Sequence, residues 1–155
     1  MLKAKKIGIG SDHAGFKYKC EIKEFLEKTG YEVKDYGIYE EVPVKEYRFV
    51  EDLCLGVTGG EVERGILTCG TGIAVSIAAN KIWGIRAALC NDLFTARKSR
   101  EHNESNVLAF GARVIGTDVA KEIVKVWLET DFEGGRHISR NDSITCLENK
   151  YQVKE

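Results

Sequence analysis

The stretch Gly65-Ile-Leu-Thr-Cys-Gly-Thr-Gly-Ile-Ala-Val-Ser-Ile-Ala-Ala-Asn-Lys81 decides the fold of this chain. Its apolar run Ile66–Cys69 predicts a buried strand, Gly70-Thr-Gly72 a tight turn, and the small and apolar residues Ile73–Asn80 a buried helix. Open α/β sheets bind ligands at the carboxyl ends of their strands, where this pattern places Cys69. Backbone amides and a helix N-terminus directly after the thiol favour thiolate and bound anions. A tight turn with a buried structural cysteine explains the same residues equally well.

The composition is typical of a soluble globular protein, and residues 1–155 are expected to form one domain. The chain has 155 residues, 43% hydrophobic and 30% charged, which suits a single core. A net charge of −1 gives no electrostatic reason to expect nucleic acid or a membrane as a partner. Five cysteines, an odd number without CxxC spacing, indicate reduced thiols and a cytoplasmic location. Ile7-Gly-Ile-Gly10 is too short for a signal peptide, and no stretch is long enough to span a membrane.

Strand-like and helix-like segments alternate along the chain. Strands are predicted at Lys6–Gly10, Tyr31–Tyr36, Ile66–Cys69, Ile85–Cys90 and Val107–Phe110, and helices at Phe16–Thr29, Glu46–Val57, Ile73–Asn80, Leu93–His102 and Asp118–Glu129. This alternation predicts an α/β fold, a three-layer αβα sandwich with a Rossmann-like five-stranded parallel sheet in the order 2-1-3-4-5. The near-continuous apolar run Ile85–Cys90 predicts a strand covered on both faces. Residues 130–155 carry too many apolar side chains for a free tail, so a C-terminal arm is expected to pack on this chain or on a partner subunit.

Polar residues follow the strands that this order places around one crevice. They are Asp12 and His13 after the first strand, Cys69–Gly72 after the third, Asn91 and Asp92 after the fourth, and Gly111–Arg113 after the fifth. Asp12 is more typical of a helix cap than of a catalyst. The adjacent His13 on the same loop makes the difference between these two interpretations smaller. The set lacks metal-ligand spacing, a complete GxGxxG and a Walker A lysine, so a nucleotide or metal site is disfavoured.

The segment Gly134-Gly-Arg-His-Ile-Ser-Arg140 is a second candidate for anion binding. If it is helical or turned, its two arginines present guanidinium forks and the intervening histidine an imidazole to one anion. A solvated basic loop explains it equally well, and His102-Asn103 at a predicted helix end is typical of a solvated or capping pair. Together with the thiol, these groups fit acid–base chemistry on a small phosphorylated compound better than redox or hydrolytic chemistry.

Six blocks of the sequence resemble the ribose-5-phosphate isomerase B family, which also includes the galactose-6-phosphate isomerase subunits. In chain order they are Gly10-Ser-Asp-His-Ala-Gly-Phe16, Gly65-Ile-Leu-Thr-Cys-Gly-Thr-Gly72, Ser76-Ile-Ala-Ala-Asn-Lys81, His102-Asn103 with Asn106-Val-Leu108, Gly111-Ala-Arg-Val-Ile-Gly116 and Phe132-Glu-Gly-Gly-Arg-His137. The resemblance implies a sugar-phosphate isomerase that interconverts ribose 5-phosphate and ribulose 5-phosphate through an enediolate, with no metal and no cofactor. It also implies a homodimer with a shared active site, often paired into a tetramer.

The resemblance assigns roles to individual residues of this chain. Cys69 matches the base that moves a proton between C1 and C2, and Thr71 and His102 match the pair that opens the sugar ring. The other matches bind substrate: the backbone of Gly70, Gly72, Ile73 and Ala74 as an anion hole, Asp12 and Asn103 at the sugar hydroxyls and enediolate, and His13, Arg113, Arg136 and Arg140 at the phosphate. His102, Asn103 and Arg113 are expected from the partner chain.

Two departures from the family pattern leave the preferred sugar open. Ala74 stands where the family usually has glycine, and Lys45-Glu-Tyr47 replaces the family's Asp-Tyr-Pro. The nearest alternative is therefore the same chemistry on another sugar phosphate, such as galactose 6-phosphate or allose 6-phosphate. The alternative from a different class is a non-catalytic module that binds a phosphorylated ligand. A matched base and ring-opening histidine argue against that module, because a binder needs neither.

Overall fold

A computed structural model describes residues 5–152. Within this span, five strands form one parallel sheet: β1 Lys6–Ser11, β2 Glu32–Asp35, β3 Arg64–Cys69, β4 Ala87–Leu89 and β5 Val107–Gly111. The same residues contain six helices: α1 Phe16–Lys28, α2 Arg48–Thr58, α3 Ile73–Ala79, α4 Leu93–Asn103, α5 Thr117–Glu129 and α6 Arg136–Tyr151. Helices cover both faces of the sheet, so the predicted three-layer αβα class is confirmed.

The predicted strand order 2-1-3-4-5 is wrong, because the strands lie in the order 2-1-3-5-4. β5 is buried along its whole length between β3 and β4. β4 has three residues, and Leu89 at its end is 38% exposed, so the run Ile85–Cys90 supplies an edge strand and not one covered on both faces. The physical reason is that β5 is apolar throughout, whereas β4 directly follows Arg86, whose side chain donates to the carbonyl oxygens of Asn103 and Glu104 beside the sheet.

Each face of the sheet has its own hydrophobic core. On one face, α1 and α5 pack against the strands through Ile22, Ile123 and the fully buried Trp127. On the other face, α2 and α3 pack through Leu53 and Val75. These two cores fix the strand ends, and the loops at the carboxyl edge of the sheet are therefore held on a rigid base.

The C-terminal arm is a helix that packs on its own chain. Gly84 N donates to Glu148 Oε1 at 2.8 Å, and Trp83 Nε1 donates to Asn149 Oδ1 at 3.3 Å. Four apolar side chains of α6 are at least 45% exposed: Ile138, Ile144, Leu147 and Tyr151. Contact of this arm with a partner subunit stays a prediction, and its last residues, 153–155, lie outside the described residues. No helix between residues 5 and 152 has the length and apolar composition that crossing a membrane requires.

Candidate active site

The turn after β3 holds Cys69 against a backbone amide. Cys69 is the last residue of β3 and is 4% exposed, and its Sγ accepts a hydrogen bond from Gly72 N at 3.1 Å. Gly72 has a φ of 78°, in the left-handed region that favours glycine. A Cβ at Gly72 would lie 2.5 Å from Leu89 Cδ1 and 2.7 Å from the carbonyl carbon of Phe110. Glycine at this position therefore allows the turn to bring its amide back to the sulfur.

Residues after β1 lie beside this turn. Asp12 N donates to Thr68 O at 3.4 Å, and Asp12 Oδ1 accepts from Gly15 N at 3.0 Å, so this carboxylate stabilises the turn that begins α1. The neighbouring His13 has a buried Nδ1 without a hydrogen-bond partner in the described part of the chain. Because an unpaired buried polar atom is costly, this nitrogen is a candidate contact for a ligand.

Arg113, which follows β5, lies at the same turn. Its backbone N donates to Gly70 O at 2.9 Å. A Cβ at Gly70 would lie 3.4 Å from Arg113 Cδ and 3.5 Å from Arg113 Nη1, so the arginine side chain runs alongside the turn. The resemblance implies that Arg113 comes from a partner chain, whereas the structure places it beside Gly70 of its own chain. That expectation is corrected.

Other predicted residues at this edge are engaged in local structure. Asn91 Oδ1 accepts from the last amide of β5 at 2.9 Å, and Asp92 Oδ1 accepts from an amide in the first turn of α4 at 2.7 Å. Thr71 is exposed, and its Oγ1 accepts from Ile73 N at 3.2 Å. Ala74 follows in α3 and is half-buried.

His102 and Asn103 lie at the opposite, amino edge of the sheet. α4 begins after β4 at the carboxyl edge and returns alongside the sheet, so its last residues reach the other end. There Arg86, which precedes β4, donates through Nε to Asn103 O at 3.0 Å. A helix of this length spans roughly 16 Å, so the ring of His102 cannot reach Cys69 of the same chain.

The start of α6 packs against the end of α4 at the amino edge. The rings of His102 and His137 stack with centroids 4.1 Å apart and planes 16° apart. His137 is 3% exposed, and its Nε2 lies 3.2 Å from Glu133 Oε2. Asn141 Nδ2 donates to His102 O at 3.0 Å, and Asn141 Oδ1 accepts from Asn103 Nδ2 at 3.4 Å. His102, Glu133 and His137 are called the histidine cluster below.

The sequence patterns did not indicate the histidine cluster. Two glycines with positive φ, Gly134 at 68° and Gly135 at 56°, reverse the chain before α6 and bring Glu133 over its first turn. The local signal is a glutamate four residues before a histidine across a glycine pair. His102 joins them only through the packing of α4 on α6, which no local pattern contains.

Arg136 and Arg140 are exposed on α6, four residues apart and so on one face of the helix. The predicted three-group anion site is therefore only partly formed. The imidazole of His137 does not join the two arginines, because it is buried against His102. The arginine pair lies at the same edge of the sheet as His102 and away from Cys69.

Of the four remaining thiols, two are buried and two are exposed. Cys54 and Cys90 are buried in the two cores, where burial raises the pKa of the Cys54 thiol to about 12 and also raises the pKa of Cys90. Cys20 and Cys146 are exposed. Since the thiolate is the reactive form of cysteine, neither core thiol is a candidate nucleophile or base.

Comparisons with known proteins agree with this architecture. A family model described as Ribose/Galactose Isomerase matches residues 7–144. Ribose-5-phosphate isomerase B from Escherichia coli K12 is 48% identical over 146 residues, 94% of this chain and 98% of that protein. D-erythrulose-4-phosphate isomerase from Pectobacterium atrosepticum is 41% identical over 148 residues, 93% of this chain and 95% of that protein. The solved structure of Clostridium thermocellum ribose-5-phosphate isomerase B superposes with a TM-score of 0.92 at 51% identity, over 94% of this chain and 99% of that chain.

Proposed function

This chain belongs to the ribose/galactose isomerase family, and on that premise we propose that it is an isomerase that interconverts ribose 5-phosphate and ribulose 5-phosphate. The observation that carries the proposal is the thiol at the carboxyl end of β3, which accepts a hydrogen bond from Gly72 N at 3.1 Å. Isomerisation between an aldose and a ketose needs a base within reach of two neighbouring carbons and donors for the oxyanion that forms between them. The turn from Cys69 to Ala74 combines both.

We assign the base to Cys69. Its thiolate removes the proton from C2 of the open-chain aldose, and the electron pair of that C–H bond forms the C1–C2 double bond while negative charge develops on O1. The proton on O2 passes to O1, the thiol returns its proton to C1 as the C2–O2 double bond forms, and the ketose and the thiolate result. Amides of the turn at residues 70–74 stabilise the enediolate, and one such donor is typically worth roughly 3–4 kcal/mol in the transition state.

A second copy of the chain completes the proposed site. His102 opens the sugar ring together with Thr71, and His102 lies too far from Cys69 of its own chain, so it has to come from a partner. Asn103, Arg136 and Arg140 share the amino edge with His102 and arrive with it to bind the sugar and its phosphate. Asp12, His13 and Arg113 come from the chain that supplies the thiol.

An exposed apolar surface beside the thiol supports the homodimer. Its side chains are 38–67% exposed and belong to Ile73, Ile77, Leu89, Leu93 and Phe94. Leu89 lies against the Gly72 turn, so a partner that covers this surface approaches Cys69. Separately, the open edge of β4 and α6 enclose a groove of about 670 Å³ that extends to Asn103 at the amino edge. We also propose a cytoplasmic location, which the five unpaired cysteines support.

A second candidate substrate is another sugar phosphate, which the methyl group of Ala74 in the proposed anion hole favours. The relative named D-erythrulose-4-phosphate isomerase has a different substrate from ribose-5-phosphate isomerase B at a similar identity to this chain. Replacing Ala74 with glycine should change the ratio of kcat/KM between four-, five- and six-carbon substrates. An unchanged ratio would remove Ala74 from the residues that set substrate preference.

The test is ketose formation from ribose 5-phosphate and a panel of other aldose phosphates by the wild type, Cys69→Ala and, as a matched control, Cys54→Ala. General base catalysis is typically worth 10²–10⁴-fold, so Cys69→Ala should lose at least about 100-fold in kcat while still binding substrate in a calorimeter. Cys54→Ala should keep its kcat. Equal rates in Cys69→Ala and the wild type would refute the base. Absence of turnover on every sugar phosphate by the wild type would favour the non-catalytic binding module.

A further inference from the structure

The histidine cluster contains a buried nitrogen whose surroundings do not satisfy it. Nε2 of His137 is 3.2 Å from Glu133 Oε2, yet this contact lacks hydrogen-bond geometry, and Nε2 has no hydrogen-bond partner within residues 5–152. The side chain of His137 is 4% exposed, so water compensates little. When the ring carries its proton on Nδ1, the lone pair of Nε2 lies near an oxygen that is itself an acceptor and that does not satisfy it. A cation between the two atoms would make both of them ligands.

The spacing of the three side chains suits a transition-metal ion. One ligand atom from each of His102, Glu133 and His137 lies within 4.8 Å of the other two. Two ligands about 2.1 Å from a tetrahedral Zn²⁺ lie roughly 3.4 Å apart, close to the contact between His137 and Glu133. The His102 ring has to tilt out of its stack on His137 to direct a nitrogen at the same point. Two imidazoles and one carboxylate also form a ligand set that Zn²⁺ and Co²⁺ favour, with a fourth position open to water.

The backbone around these ligands is already fixed. Glu133 N donates to Glu101 O at 3.0 Å, which holds the glutamate beside the last turn of α4. His137 N donates to Gly134 O at 3.1 Å, and Asn141 Nδ2 donates to His102 O at 3.0 Å. Because these bonds hold the ligand-bearing segments together, metal binding requires side-chain rotation and little backbone ordering.

We propose that His102, Glu133 and His137 form a binding site for a divalent transition-metal ion, with Zn²⁺ or Co²⁺ held by both imidazoles and the carboxylate. A bound ion would draw the His102 imidazole into its coordination shell and deny it to the sugar ring. The metal is therefore an inhibitor and not a cofactor. This consequence rests on the proposed function, whereas the binding itself does not.

The experiment is a Co²⁺ titration of the full chain followed by visible absorption, with Glu133→Gln and His137→Asn as site variants. Asp142→Asn, which removes an exposed carboxylate of α6 outside the cluster, is the matched control. The wild type and the control should bind one equivalent of Co²⁺ with tetrahedral bands. Loss of a ligand should raise the Kd of either site variant at least about tenfold. The titration is repeated in Cys69→Ala, because a thiolate is the competing soft ligand.

The outcomes separate the metal site from the isomerase. An unchanged Kd in both site variants, or a sulfur-to-cobalt charge-transfer band that disappears with Cys69→Ala, would overturn the site, as would no binding by the wild type. In that case Glu133 and His137 form a simple ion pair. Zn²⁺ should reduce ribose 5-phosphate turnover by the wild type relative to its metal-free rate. At the same free Zn²⁺ concentration, the fractional loss of turnover should be at least about tenfold smaller in Glu133→Gln than in the wild type. Metal binding without any turnover would keep the site and reject the proposed function.

Discussion

Gly72 determines the geometry of the thiol turn, because its backbone conformation and its surroundings both require the absence of a side chain. We predict that Gly72→Ala lowers the free energy of unfolding by roughly 1–3 kcal/mol and reduces kcat at least about tenfold, since the strained turn withdraws its amide from Cys69. Urea denaturation and steady-state kinetics measure the two effects. Gly60 has the same φ of 78° but nothing within 4 Å of a Cβ, so Gly60→Ala is the matched control and should keep its kcat. Full activity in Gly72→Ala would show that the turn is not part of the catalytic site.

The arginine pair of α6 is proposed to bind the phosphate of the substrate. Because a phosphate contact is made equally in the ground state and the transition state, Arg136→Ala should raise KM about tenfold or more with a much smaller change in kcat. Arg48→Ala removes an arginine that is also exposed but lies on α2, and it should leave KM unchanged. An unchanged KM in Arg136→Ala would exclude a phosphate role for this residue.

Individual residues differ in how well the sequence predicts their surroundings. The strand, turn and helix around Cys69 follow from local periodicity and glycine spacing, and the structure has all three where they are predicted. The orientation of His137 does not follow from the sequence, because a histidine between two arginines points towards them or away from them according to what α6 packs against. The same limit applies to Arg113. Which chain brings it to a site depends on where β5 ends in the sheet, and the sequence motif around Arg113 does not contain that information.

The same distinction between local and tertiary information holds for whole elements. The five predicted strands and five predicted helices agree with their bounds to within a few residues, since periodicity is a local property, whereas α6 is predicted only as an arm. Strand order is not a local property. Ile85–Cys90 and Val107–Phe110 are both short apolar runs, and by sequence either could occupy the centre of the sheet. The exposed Leu89 and the side chain of Arg86 place the former at the edge, and that information exists only in the packed sheet.

The N-terminal cap of α4, Asp92, is expected to contribute to the stability of the protein. Asp92 Oδ1 accepts from Thr95 N, and this hydrogen bond lowers the pKa of Asp92 below its usual value. A carboxyl group whose pKa is lowered by folding stabilises the folded state above its ordinary pKa, and this contribution is lost as the pH falls through the lowered pKa. We predict that Asp92→Ala costs about 1 kcal/mol in the free energy of unfolding at pH 7, and that the difference from the wild type shrinks below about pH 4.

Urea denaturation at several pH values measures this difference. Asp92→Asn is the control, because asparagine caps a helix well but does not titrate in this range. Its free energy of unfolding should stay near that of the wild type at pH 7. A difference between Asp92→Ala and the wild type that is independent of pH would mean that the charge of Asp92 does not contribute to the cap.

For the whole molecule, the proposed dimer predicts that association and catalysis are lost together. Phe94 is 67% exposed on the apolar surface beside the thiol, so Phe94→Glu would bury a charge in the interface. We expect the dissociation constant of the dimer to rise at least about tenfold and the specific activity at low concentration to fall with it. Analytical ultracentrifugation and activity against concentration measure both. Val42→Glu, at an apolar residue that is 51% exposed outside this surface, is the control. A monomeric Phe94→Glu variant with full turnover would refute the shared site.

A mixing experiment tests the shared site directly. Cys69→Ala and His102→Ala are each expected to be inactive, but a mixed dimer contains one site with both residues intact. With random exchange, half of the dimers are mixed and each has one intact site of two, so activity should return to about a quarter of the wild-type level. No recovery after verified subunit exchange would show that Cys69 and His102 do not meet across the interface.

In the proposed dimer, α4 would connect two substrate sites, since it begins beside Cys69 of one site and ends at the histidine proposed for the other. Its eleven residues therefore act as a spacer whose length and phase are both fixed. One inserted residue would turn His102 by about 100° around the helix axis and advance it by about 1.5 Å. Surface loops can lengthen with little penalty, whereas in the proposed dimer any change in the length of this helix would have to be compensated at the interface in the same step.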